Sequence, residues 1–181
     1  MNPVALPAAA CPAAVARELR TTTGSVSAQQ LSAMLGEPAA RYVLLRHRPK
    51  ARVGLARWTC RTALNPYFLV QHAHARLCRM LSAAAELGVT PDQSEPTDPV
   101  ELELLSLLAY PAATSDPVLL IGRLERLAAA VHAFADLPGT LPTGDQRPTS
   151  SMRGRIRLAA AAREAIGTTL TALHVPALER I

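Results

Sequence analysis

Two groups of side chains in this chain are suited to gripping an anion rather than to breaking a bond. The first is a run of cations, Arg41, Arg46, His47, Arg48, Lys50, Arg52, Arg57 and Arg61, with no acid between them. The second is a helical face. At about 100° per residue, Phe68, His72, Arg76 and Arg79 fall on one side of an expected helix, with Leu69 at its edge. Guanidinium groups neutralise phosphates and set register without reading sequence. A phenyl ring beside imidazole and guanidinium can stack on unpaired bases. The same face could equally pack on a neighbouring protein helix, and the basic run could be a solvated surface.

Nothing comparable points to catalysis or a metal. Cys11, Cys60 and Cys78 are widely spaced, form no CxxC and have no zinc-like spacing to histidine, so they are expected as reduced, mostly buried thiols. His132 has no cysteine or suitable carboxylate beside it in sequence and is read as non-catalytic. His74 lies near the core edge and is read as a hydrogen-bonded structural histidine. For Arg155, a buried ion pair and an RNA contact both remain open. No cofactor is implied.

The elements that must position these residues are helices. Of 181 residues, 49% are hydrophobic and only 3% aromatic, with alanine and leucine abundant, which favours aliphatic helical packing over a sandwich. No apolar run approaches the ~18 residues of a membrane span. Asn65-Pro66, Asp98-Pro99 and Asp116-Pro117 each place a capping side chain before a proline at the first helical position. Glu101, three residues after Asp98, has capping-box spacing. The helix from Asn65 should run to about Leu87 and stop at Gly88, burying Val70, Ala73, Leu77, Met80, Ala84 and Leu87. Val118 to Phe134 should form another long helix, and Ala159, Ala162, Ile166, Leu170 and Leu173 mark a third. Shorter helices are expected at 27–35 and 99–109, with a less cleanly marked one starting at Glu37-Pro38. Residues 137–150 read as a loop. No alternating run suggests a strand, so the expected fold is an all-α helical bundle.

Charge is sorted along this chain. Residues 1–80 hold eleven Arg or Lys against two acids, residues 81–122 hold seven acids and no cation, and residues 123–181 hold eight Arg against five acids. Such sorting suits an anionic partner at two basic regions.

The helix from Asn65 reads Asn65-Pro66-Tyr67-Phe68-Leu69-Val70-Gln71-His72-Ala73-His74-Ala75-Arg76. It resembles the N-P-x-Y-Y-V-Q-Y-A-H-A-R helix that opens the DALR anticodon-binding domain of arginyl-tRNA synthetases. Upstream, Gly36-Glu37-Pro38-Ala39-Ala40-Arg41-Tyr42 resembles the segment that names that domain. Tyr110-Pro111, His132-Ala133-Phe134 and Arg155-Ile156 follow in the family's order, and Leu173 to Ile181 resembles the family's L-G-V-x-A-P-E-K-M ending. The resemblance covers residues 24–181. It implies a stem-contacting helical segment at 24–64 and a DALR-like bundle at 65–181, behind a poorly ordered tail at 1–23.

The resemblance implies tRNA as partner, arginine tRNA in particular. Phe68, Leu69, His72, Arg76, Arg79 and Ile181 would lie toward the anticodon. Arg46, Arg48, Lys50, Arg52, Arg57 and Arg61 would contact phosphate. Leu69 and His72 stand where the family has tyrosines, and Ala135 where it has a further aromatic. Each lost base stack removes about 1–3 kcal/mol. The HIGH and KMSK signatures of amino-acid activation are missing; where the KMSK loop would fall, the chain reads Glu18-Leu19-Arg20-Thr21-Thr22-Thr23-Gly24. The expected protein is therefore a non-catalytic, cytoplasmic tRNA-binding accessory or regulator. Two rival expectations stand beside it. One is a protein–protein interaction module that kept the bundle, as a homodimer or with a synthetase-like partner. The other is the tRNA-binding half of a split enzyme.

Overall fold

The starts marked by Asn-Pro or Asp-Pro are real helix starts, because the cap in front of each is satisfied locally. In a computed structural model that describes residues 19–21, 24–48, 51–110 and 114–181, six helices carry the fold. They are α1 (Ala28–Leu35), α2 (Glu37–Arg46), α3 (Pro66–Glu86), α4 (Pro99–Ala109), α5 (Pro117–Ala135) and α6 (Ser150–Ala172). Asn65 Oδ1 accepts from the Tyr67 and Phe68 amides at 3.1 and 3.3 Å. Asp98 and Asp116 accept from the Val100 and Val118 amides, each at 2.9 Å. Ser27 and Gln30 form a reciprocal capping box on α1.

The expected capping box at Asp98 is not made. Glu101 instead accepts from the Thr97 amide at 3.1 Å and turns inward to Arg155, whose guanidinium also donates to the Pro138 carbonyl at 2.7 Å. Glu101 is buried, and a buried carboxylate needs a charged partner more than a helix end needs a second cap. The choice left open for Arg155 is thus resolved as a buried ion pair.

The bundle packs α3 against α5 and α6, with α4 on the other side of α5 and α6, and α2 on α5. Val70, Ala73 and Leu77 of α3 meet Ile121, Leu124, Val131 and Phe134 of α5 and Ala159, Ala162, Ile166 and Leu170 of α6 in one core. The expected α3 stripe holds as far as Ala84, but Leu87 is exposed. Gly88, at φ 66°, reverses the chain so that the Val89 amide reaches the Ala84 carbonyl at 2.8 Å and Val89 is buried instead.

A three-stranded sheet departs from the all-helical expectation in detail. β1 (Leu19–Thr21) pairs antiparallel with β2 (Gly24–Val26) and parallel with β3 (Arg52–Val53). Strands of two or three residues are too short to show a period, and the β1–β3 pairing is long-range. Leu19, expected in the tail, is buried on this sheet. The rest of that tail, residues 1–18 and 22–23, lies outside the described residues, as do Lys50 and Cys11.

Candidate nucleic-acid interface

A groove of about 430 Å³ opens at the end of the bundle where α3 begins. Met34 and Leu35 of α1, Trp58 and Arg61, Phe68 of α3, and Ile181 line it. Asn65 holds its near wall: besides capping α3, its Nδ2 donates to the Trp58 and Cys60 carbonyls at 3.0 and 2.8 Å. This ties the 3-10 turn Ala56–Thr59 to the start of the helix. Gln71 holds the far wall. Its Nε2 donates to the Pro176 carbonyl at 2.7 Å and its Oε1 accepts from the Leu178 amide at 2.9 Å. His74, buried as expected, donates from Nδ1 to the Leu178 carbonyl at 2.9 Å. These three bonds lay the segment after α6 along α3, and leave the Ile181 side chain half exposed at the groove.

From the groove a line of rings continues along α3. Phe68 stacks on His72 with centroids 5.5 Å apart and planes 22° apart, and His72 lies 5.2 Å from His132. His132 Nε2 must donate to the Leu69 carbonyl, at 3.0 Å, because a carbonyl can only accept. Its Nδ1 then faces Arg76 Nη1 at 3.4 Å. Burial, followed by nearby positive charge such as that of Arg76 and Arg79, pushes the His72 pKa below its usual value, so this ring is neutral at pH 7. A neutral stacked imidazole offers a flat face rather than a charge. His132, read from sequence as non-catalytic, is a positioning element of this ladder.

The expected cations divide into two sets. Arg46 is held in two-point contact by Glu125, at 2.7 and 3.0 Å, and Tyr42 donates to the same carboxylate at 3.2 Å. Burial and then Glu125 raise the Tyr42 phenol, which stays protonated as a donor. Arg48 pairs with Asp116 at 3.3 Å and Arg76 with Asp136 at 2.6 Å. Arg52, Arg57, Arg61 and Arg79 are exposed, and among the described residues none of them has a carboxylate in ion-pair range. Arg57 lies over the Trp58 ring at 4.9 Å, and Arg46 over the same ring at 5.8 Å.

The structure therefore brings Arg61, Phe68 and Ile181 together at the groove and sets His72 on Phe68. Leu69 is half buried. Trp58, Gln71, Glu125 and Asp136 are the contributors that sequence reasoning did not assign. Gln71 lay within the quoted motif, whereas Glu125 and Asp136 carried no local signal. The cysteines correct an expectation, since Cys60 is exposed on the groove wall and Cys78 is only half buried. Among the described residues no cluster of His, Cys, Asp or Glu could hold a metal ion, and no helix is long and apolar enough to cross a membrane.

No protein-family model matches the chain. Its fold is that of part of an arginyl-tRNA synthetase. A chain from Campylobacter jejuni described as an arginyl-tRNA synthetase superposes with a TM-score of 0.67 at 15% identity, covering 91% of this chain and 39% of its own. The Thermus thermophilus arginyl-tRNA synthetase superposes with a TM-score of 0.59 at 26% identity, covering 82% of this chain and 27% of its own. The chain thus spans well under half the length of either synthetase.

Proposed function

We propose that this chain is a tRNA-binding module of the arginyl-tRNA synthetase type that activates no amino acid itself and acts in the cytoplasm as an accessory or regulator. The convergence of Arg61 and Phe68 with Ile181, from the far end of the chain, on one groove carries this reading. A nucleotide splayed out of an anticodon loop needs apolar cover for its base and a cation for its phosphate. Trp58, Phe68 and Ile181 supply the first, and Arg57, Arg61 and Arg180 lie where they supply the second. His72 extends the stacking surface, and Arg52 and Arg79 add exposed positive charge. Kinship with the synthetases implies an arginine tRNA. Leu69 and Ala135, which replace aromatics of the family pattern, imply weaker anticodon selectivity.

The test is an electrophoretic titration of tRNA at about 50 mM salt. Binding at micromolar protein, weakening steeply with salt, is the expected result. No shift under those conditions ends the reading.

One observation favours a second reading, a protein-interaction module. Leu102, Leu105, Leu119 and Tyr110 are exposed on and around α4. That reading predicts concentration-dependent association in sedimentation. A monomer at every concentration that still binds tRNA would dismiss it.

A further inference from the structure

Arg46 and Arg48, at and just past the end of α2, are far in the chain from Arg76 on α3, yet the carboxylate partners of all three belong to α5. Asp116 caps its start, Glu125 sits in its middle and Asp136 caps its end. The three pairs differ in which partner faces solvent. Glu125 and Arg46 are both largely covered. Arg48 is the more exposed member of its pair. In the third pair the order is reversed: the Arg76 side chain is 23% exposed and that of Asp136 70%. A phosphate approaching from solvent meets the carboxylate before the guanidinium.

We infer that Asp136 withholds Arg76 from the backbone of a bound RNA, filling the place on the guanidinium that a phosphate oxygen would take. This rests on the tRNA-binding reading above. A second nitrogen of Arg76 is also engaged, since Nη1 lies 3.4 Å from Nδ1 of His132, whose far nitrogen is anchored on the Leu69 carbonyl. Asp136 is well suited to hold on. Its hydrogen bond from Arg76, and then the Arg76 charge, keep its carboxyl below the usual carboxylate range. Arg76 thus orders the ring ladder instead of contacting phosphate, and the contacts fall to the unpaired cations around the groove.

The inference is tested with Asp136→Asn, which keeps the shape of the side chain and frees Arg76. Glu103→Gln is the control, because Glu103 is exposed on α4 with no cation in ion-pair range, so it changes net charge equally. Titrations of tRNA from about 50 to 200 mM salt should show Asp136→Asn binding roughly five- to fifteen-fold tighter at the low end. Its salt slope should be steeper by about 0.7–0.9, one added phosphate contact. Glu103→Gln should show neither change, and Arg76→Ala in the Asp136→Asn background should abolish the gain. A gain no larger than that of Glu103→Gln, or one that survives in the double variant, overturns the inference. So does a comparable loss of slope in Arg76→Ala alone. Wild-type protein that binds no tRNA fails the proposed function separately. In that case tRNA binding gained by Asp136→Asn still supports the inference, and no gain overturns it.

Discussion

The flank of α5 and the groove at the start of α3 draw on the same stock of arginines and use it in opposite ways. Along α5, Arg46, Arg48 and Arg76 each meet a carboxylate. Around the groove, Arg57 and Arg61 meet an aromatic ring or solvent, beside the apolar side chains of Phe68 and Ile181. The lesson is that cations counted along a chain are not cations available to a partner. A formal charge of +5, with eleven cations in the first eighty residues, describes long-range attraction. Which cations can form contacts depends on where the acids of a distant helix fall.

That contrast can be broken most forcefully at Glu125. Glu125→Ala strands the covered Arg46 guanidinium and removes the acceptor of Tyr42. We expect a loss of about 3 kcal/mol in denaturant unfolding, with no loss of tRNA affinity beyond that explained by unfolding. Gln71→Leu comes next. It leaves the Pro176 carbonyl and Leu178 amide without partners, so about 2 kcal/mol of stability should go. Proteolysis should then cut the segment carrying Ile181 more readily. Third, Arg61→Ala should weaken tRNA binding by roughly tenfold at low salt, with an unchanged denaturation midpoint.

The smallest effect concerns pH. The His72 and His47 pKa values are both lowered from 6.5, in each case mainly by burial and then by nearby cations. The unfolded chain therefore takes up these protons first. Their contribution to stability is complete above pH 6.5 and is lost as the pH falls through the folded values. Thermal midpoints should drop modestly on acidification, and His72→Phe, which keeps the stack on Phe68, should flatten part of that drop.

The parts of the fold that could be read along the chain are those whose causes are local. Asn65, Asp98 and Asp116 announce helices because a capping oxygen needs only the next two or three amides. The spacing of Val70, Ala73 and Leu77 announces a buried face because helical periodicity is local too. The β1–β3 pairing was not legible, nor was the turning of Glu101 from a cap to Arg155, since both depend on partners more than thirty residues away. The candidate site divides in the same way. Phe68, His72 and the loop arginines could be picked out by type and spacing. Trp58 as a platform beneath Arg46, and Gln71 as the clasp on residues 176 and 178, emerge only when separate segments meet.

The amino-acid order alone determined the helices, their starts, their buried stripes and the stock of positive charge, because each follows from neighbours within a turn or two. Only the tertiary structure decided which guanidiniums remain open to solvent. An arginine side chain is long and its strongest partner is any carboxylate it can reach, and the carboxylates within reach of Arg46, Arg48 and Arg76 lie on a helix formed much later in the chain.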